Sequence, residues 1–565
     1  MYQPVLAPVA DSLALSALVA CLPLLLFFVL LGGLRLKAHW AGLASLALAV
    51  VVAVVGYGMP VGPALLSASQ GAVFGLFPIM WIVLTAIWVY RLTVVSGRFE
   101  DLRHAFGLIS DDPRIQAVII AFCFGGLLEA LAGFGAPVAI TGVMLVALGF
   151  SPMRAAVTVL IANTAPVAFG AVATPIITAG SLTGIPHEEI GAYVGRQTSL
   201  LAVFVPLLLV ALVDGRRGMR QTWPAALTAG AAFGLAQFAA SNYVSVELTD
   251  IIASLAGLLA VVLLLRVWRP RGGEQARAGL LRTDGATAPA APADPAAPVA
   301  PAGPAGSGAR AGDAGAVGTA RILMAFLPYL VVIAVFSAAK LWTPLKEFLA
   351  STDLRIGWPG LDGTVLNAAG EAAAGTVYTF PWLSSPGTLL LLSGLLVAAV
   401  YRIAPAEAVR EFASTVVKLR LSLLTVASVL ALAHVMNLSG QTITIGTWIA
   451  GAGTAFAFFS PVLGWLGTAV TGSDTSANAL FATLQQTTGD KAGLDPTLLV
   501  AANTSGGVVG KLISPQNLTI AATAVGLDGR ESELLRGTLK WSLLFLLALC
   551  LLVFLQSNVL GGMLP

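Results

Sequence analysis

The sequence predicts an all-α polytopic membrane protein with about 12 transmembrane helices in two inverted repeats, each holding a re-entrant hairpin and an interrupted helix. Three observations carry that prediction: an apolar composition, recurrent apolar runs of membrane-crossing length, and a set of landmarks that occurs twice. Of 565 residues, 57% are hydrophobic and only 10% charged, against roughly 25% charged in soluble domains. Mean hydropathy is +0.90. A chain so poor in polar groups cannot cover a globular surface, so its solvent is largely lipid. The net charge of +3 and the scatter of basic residues over separate loops exclude a nucleic-acid partner.

Apolar runs lie near 12–33, 39–57, 78–95, 191–213, 223–241, 249–268, 322–342, 385–402, 421–437 and 541–560. Roughly 17–25 residues of helix cross the hydrocarbon core. The first run lacks a basic n-region and is as long as a full span, so it reads as a span rather than a cleavable leader. Stretches 113–182 and 441–526 are apolar but broken by Gly, Pro, Ser, Thr and Asn. Between the halves, the Pro/Ala/Gly tract 288–306 offers too little apolar surface to fold, and about 271–320 reads as disordered. The chain therefore divides into an N-terminal membrane half, 1–270, with a repeat core at about 78–214; a linker, 271–320; and a C-terminal membrane half, 321–565, with a repeat core at about 421–560. Cys21, Cys123 and Cys550 sit in apolar runs, too far apart for a metal or redox motif.

Lys and Arg set the orientation. Arg35/Lys37, Arg98/Arg103, Arg216/Arg217/Arg220, Arg266/Arg269/Arg271, Arg402/Arg410/Lys418/Arg420 and Arg530/Arg536/Lys540 mark one side, while 57–70, 241–250 and the C-terminal tail carry almost no basic residues. With the basic side cytoplasmic, the linker is inside, both termini are outside, and 343–384 is the largest external connection. Arg91, near a span end, is expected to snorkel to the interface.

The landmarks come in matched order. Ser96-Gly97 answers to Ser439-Gly440, LAGFGAP (131–137) to VTGSDTS (470–476), and Gly149-Phe150-Ser151-Pro152 to Gly493-Leu494-Asp495-Pro496. Ser151 and Asp495 each precede a proline, as an N-cap precedes the first helical residue. Asn163-Thr164 pairs with Asn503-Thr504, Thr174-Pro175 with Ser514-Pro515, and Arg196-x-Thr198 with Arg536-x-Thr538. On the charge map, 78–95 and 421–437 run in opposite directions. Inverted repeats with interrupted segments at matching places point to a secondary transporter and to its midplane site.

Non-helical backbone at membrane depth must be buried in protein or line a cavity. The turns at 133–137 and 472–476 are expected to be hairpin tips, and 163–175 and 503–517 breaks in crossing helices. Their helix ends favour an anion. Gly133, Gly135, Asn163, Thr164, Ser473, Thr475, Ser476, Asn503, Thr504 and Ser514 are the candidate substrate-binding residues, with Lys511 as partner of a carboxylate or, in an empty site, of Asp474. Ionisable residues in such segments are functional hypotheses by default, so Glu129, Asp474 and His434 are the candidates for a coupled proton. Each has a plain structural alternative: a salt bridge for Lys511, a helix cap for Asp474, a satisfied core imidazole for His434. No GxSxG, HExxH or Walker sequence is present. An intramembrane enzyme is therefore the weaker class, and nothing in the sequence requires a metal or cofactor.

The strings GGLLEALAGFGAPVAITGVML (125–145), ANTAPVAFGAVATPI (162–176), GTAVTGSDTSANALF (467–481) and AANTSGGVVGKLISPQNLTIA (501–521) resemble the L-lactate permease family of bacteria, over most of the chain. That resemblance implies uptake of L-lactate, and of glycolate, with protons across the bacterial cytoplasmic (inner) membrane. The chain also resembles the wider group of inverted-repeat carboxylate carriers, in which a transport domain moves against a scaffold. SPQN at 514–517 is similar to a helix-break motif of the dicarboxylate members. Sodium-coupled relatives exist there, so a sodium-coupled carrier of another small carboxylate is the alternative. The expected partners are a small monocarboxylate, protons and the lipid bilayer, and a homo-oligomer is left open.

Overall fold

A computed structural model of the protein describes residues 1–34, 36–101, 109–133, 135–283, 319–366, 373–527 and 530–565. The described chain is helical apart from one antiparallel strand pair, Leu354–Gly357 with Val377–Phe380. Among the described residues, nine helices are long and apolar enough to cross a membrane, or eleven if each of two bent pairs counts as one span. Their outward faces carry exposed leucine and valine, including Leu25, Val55, Leu263 and Leu547. That is the surface expected of a polytopic membrane protein.

Several elements depart from the sequence expectation. The stretch 57–70 was expected to be a loop, but Val61–Phe74 is a helix that meets Trp81–Val95 through a kink at Phe77. Ser67 and Gln70 lower its hydropathy, yet both are buried, and the helix packs on Pro405–Leu438. The two runs at 191–213 and 223–241 belong to one helical stretch, His187–Tyr243, broken at Asp214-Gly215, where Gly215 has φ +60°. Part of the expected disordered linker is helix Gly273–Thr283, and the next helix begins at Thr319. The tract 288–306 lies outside the described residues. Arg91 does not snorkel alone; it pairs with Glu411 at 3.1 Å.

The interruptions fall where glycine, proline and capping residues place them. Helix Gly125–Ala132 turns at Gly133 and Gly135 into Ala136–Ala147. Phe456–Thr471 ends on left-handed Gly472, and Ser473 then caps Asp474–Ala492 by accepting from the Ser476 N–H. Pro152–Ala162 and Val167–Thr183 meet at a 63° bend. Pro496–Gly510 passes through the turn Lys511–Ile513 to Pro515–Ala524, whose N-cap is Ser514. Asp495 caps its helix through the Thr497 and Leu498 N–H groups, whereas Ser151 holds the cap position without a side-chain bond.

The second hairpin and the helix after it pack backbone to backbone. A Cβ on Gly464 would stand 1.8 Å from the Asn503 carbonyl oxygen. Small residues at helix interfaces permit such approach where lipid gives no hydrophobic drive.

Candidate functional site

The two hairpin tips converge on one short helix. Gly135 of the first packs on Ile520 and Gly472 of the second on Gln516, both in Pro515–Ala524. Beside that junction lies a buried ion pair joining the two halves of the chain. Glu129 is 2% exposed and Lys511 7%, and Lys511 Nζ donates to Glu129 Oε1 at 2.6 Å. Asn163 Nδ2 donates to the other oxygen, Oε2, at 2.9 Å.

Local structure explains why these atoms meet. Lys511 follows the C-terminal end of Pro496–Gly510, where the helix dipole favours a cation. Its backbone carbonyl accepts from Ser514 Oγ and Asn517 Nδ2, each at 3.1 Å, which fixes the break. Glu129 sits one turn before Gly133 on the short helix Gly125–Ala132. Across from it, Gly170 is so close that a Cβ would stand 3.0 Å from Glu129 Oε1. Directly after Gly170, Ala171, Val172 and Ala173 have φ of 44°, 57° and 58°. A left-handed residue with a Cβ costs roughly 1–2 kcal/mol, so the break beside Glu129 stores backbone strain of the kind found at functional sites.

A narrow crevice lined by Asn163, Thr164, Lys511 and Asn517 adjoins the pair and has no room for a water molecule. A separate cavity of about 960 Å³ is lined by Ser473, Ser476, Pro515 and Gln516 and also by Lys37 and Glu531. The large cavity thus borders the second hairpin tip, and neither Glu129 nor Lys511 lines it.

The other expected site residues are distributed unevenly. Asn503 Nδ2 and Thr504 Oγ1 both donate to Asn478 Oδ1, at 2.9 and 3.1 Å, and Asn478 Nδ2 donates to the Pro175 carbonyl at 3.0 Å. These side chains tie the second hairpin to both broken helices, leaving little free for a ligand. Thr475 is buried in the first turn of Asp474–Ala492. Lys511 was expected to pair with Asp474 in an empty site; its partner is Glu129 instead. Asp474 keeps only a 3.5 Å contact from Thr468 Oγ1, and its Oδ2 is buried without a partner. His434 bonds its own helix at the Leu430 carbonyl and packs on Phe74 and Gly71, away from the ion pair.

Sequence reasoning missed Asp250, which was read as the edge of an external loop. It is fully buried, and neither carboxyl oxygen has a hydrogen-bond partner among the described residues. An acidic residue opening an apolar run was the signal available. Asn478, Asn517 and Gln485 were also passed over; all three are buried and hydrogen-bonded within the broken elements. Among the described residues, no three His, Cys, Asp or Glu side chains are grouped to hold a metal.

A family model described as L-lactate permease matches residues 16–560. The chain is 43% identical to the glycolate permease GlcA of Escherichia coli strain K12, over 100% of this chain and 99% of that protein. It is 42% identical to the L-lactate permease of Bacillus subtilis strain 168, over 99% of each. Among solved structures it is similar to Neisseria gonorrhoeae MtrF, titled as illuminating a class of antimetabolite efflux pumps. That match has 14% identity, a TM-score of 0.42, and coverage of 87% of this chain and 83% of that one.

Proposed function

The chain belongs to the L-lactate permease family, and from that premise we propose that it takes up L-lactate, glycolate and similar small 2-hydroxy monocarboxylates by proton symport and alternating access. The observation that carries this reading is the buried Glu129–Lys511 pair, with Asn163 on the second Glu129 oxygen, where the two interrupted halves meet.

The charge balance of that pair supplies a coupling rule. An uncompensated charge in a buried site costs several kcal/mol, whereas a well-paired one is tolerated. With the site empty, Glu129 and Lys511 neutralise each other. A substrate carboxylate can take over Lys511 only if Glu129 gives it up, and Glu129 gives it up most cheaply by accepting a proton. The loaded site, with neutral Glu129, cationic Lys511 and anionic substrate, again carries no net charge. Proton alone leaves the lysine unpaired, and substrate alone leaves an extra anion. Both half-loaded states are penalised, so the states that cross are the empty and the fully loaded ones.

Asn163, Thr164 and Asn517 line the crevice beside Lys511 and, once it opens in another conformation of the cycle, suit the hydroxyl of a 2-hydroxy acid. Ser473 and Ser476 line the larger cavity, which in this reading is the exit toward the cytoplasm. Asp474, with its unpartnered oxygen, is the second candidate to feel the proton. The two hairpins and broken helices form two inverted repeats that move against the remaining spans.

Uptake of labelled L-lactate into proteoliposomes tests the reading. An inside-alkaline pH gradient should drive accumulation without sodium, and glycolate should compete. Strict dependence on sodium would overturn proton coupling. Absence of uptake for both acids, in vesicles shown to contain inserted protein, would overturn the carboxylate assignment.

A further inference from the structure

Asp250 is a buried acid that the charge cycle above leaves unused. It lies in the first turn of Thr249–Val267, at 0% exposure, with both carboxyl oxygens unpartnered. One turn later, Ser254 Oγ is also buried and unpartnered. That hydroxyl faces the helix that carries Glu129: a Cβ on Gly126 would stand 2.5 Å from it. Gly126 and Glu129 are three residues apart, hence on one face of Gly125–Ala132. The charged groups that act on Asp250 are Glu129 from this helix and Lys511 from the second break.

A bare carboxylate in such a place is far costlier than the neutral acid, because among the described residues no donor within hydrogen-bond reach replaces its water. The first turn of a helix favours an acidic side chain, but here it provides no bond to either oxygen. A metal cation is a poor occupant as well. Asp250 and Ser254 offer three oxygens, fewer than a hard cation's shell requires, and Glu129 is already held by Lys511. A proton needs only one of them.

Both oxygens of Glu129 are engaged, by Lys511 and by Asn163, and neither Glu129 nor Asp250 lines the large cavity. Whatever exchanges a proton with Glu129 in this conformation is therefore a neighbouring side chain. Ser254 can both donate and accept, which suits a bridge between the two carboxyls.

We propose that Asp250 is a second proton-binding carboxylate of the carrier, which hands the coupled proton to Glu129 and takes it back by way of the Ser254 hydroxyl. This rests on the proton-coupled reading above. The transfer is balanced: the Asp250 O–H bond breaks as a Glu129 O–H bond forms, and Asp250 regains its proton from water in another conformation of the cycle, since it is sealed in this one. Neutral Glu129 then releases Lys511 to the substrate.

The test compares wild-type protein with Asp250→Asn and Asp250→Glu in proteoliposomes, reading lactate exchange and pH-driven accumulation separately. Exchange requires only that the loaded carrier cross while its proton stays on Glu129, so Asp250→Asn, once loaded, should retain it while losing accumulation, and Asp250→Glu should restore accumulation with a shifted pH profile. Accumulation by Asp250→Asn with an unchanged pH profile overturns the proposal. Loss of exchange along with accumulation, in inserted protein, also overturns it, because Asp250 then serves substrate binding or structure. Should Asp250→Asn fail to insert, infrared difference spectra of a chain carrying Glu129→Gln and Asp474→Asn decide the matter. A remaining protonated-carboxyl band that responds to pH is expected, and its absence overturns the assignment. Failure of the underlying reading is distinguishable, since wild-type protein would then show no pH-driven uptake.

Discussion

Lys511 and Glu129 neutralise each other, yet removing one charge is not equivalent to removing the other. Lys511→Ala leaves a buried glutamate without its cation and, in the proposed cycle, the substrate carboxylate without a partner. Labelled lactate uptake should be abolished, and thermal unfolding in detergent should show a loss of about 3–5 kcal/mol. Pairing Lys511→Met with Glu129→Gln removes both charges and should regain most of that stability while remaining inactive. Normal uptake by Lys511→Ala would take the lysine out of the site. Glu129→Gln mimics the protonated acid: the loaded carrier is neutral and crosses, but the empty one carries an unpaired lysine. Exchange should persist and uphill uptake should fail, and pH-driven accumulation at the wild-type level would refute the coupling role. Both residues were legible in the sequence because an ionisable group in an apolar, glycine-interrupted run has few structural excuses. Their pairing was not legible, since 382 residues separate them and Asp474 was nearer to the eye. Asp250 escaped because a charge at the start of an apolar run looks the same whether it meets water or is sealed inside.

The interrupted elements were legible for a related reason. Gly, Pro and a capping Ser or Asp fix local backbone whatever the surroundings, so the breaks near 133–137, 163–175, 472–476 and 503–517 were readable from spacing alone. Helix Val61–Phe74 was not, because its buried polar side chains lower its hydropathy and only tertiary packing accounts for them. Close contact between elements belongs to the same class of fact. Gly464 lets the second hairpin touch the backbone of the following helix at Asn503, where a Cβ would stand 1.8 Å from a carbonyl oxygen. That oxygen is not the end of a flexible side chain, so the helices must part. Gly464→Ala should therefore cost about 1–3 kcal/mol or more in thermal unfolding and reduce uptake along with it. Gly451 has nothing within 4 Å of its added Cβ and serves as control, with an effect expected within about 0.5 kcal/mol. Equal effects at the two glycines would show that the hairpin contact is not tight.

At the scale of the whole molecule, contacts that owe nothing to the charge map sort the chain ends with the connections poor in basic residues. Tyr2 forms a bridge with Val365, and its hydroxyl donates to the Tyr57 and Ser439 carbonyls. Near the other end, Arg196 Nη1 donates to the Met563 carbonyl and Arg196 Nε to Asn242. Positions 57, 242 and 365 all fall in segments that the Lys and Arg pattern reads as external, so the contacts put both chain ends beside those segments, and the expectation that this side is outside rests on the charge pattern. Membrane-impermeant maleimide labelling can check this in a chain whose native thiols give little background: Cys123 and Cys550 are buried, and half-buried Cys21 is replaced by serine. Val5→Cys and Gly562→Cys stand at exposed positions near the two ends, and Arg216→Cys at an exposed position in a basic cluster. The first two should label in intact cells, and the third only after permeabilisation. The reverse pattern would turn the molecule over and make the 960 Å³ cavity an entrance rather than an exit. Labelling of Val5→Cys and Gly562→Cys from opposite sides would imply an odd number of crossings and break the inverted-repeat arrangement on which the coupling cycle is built.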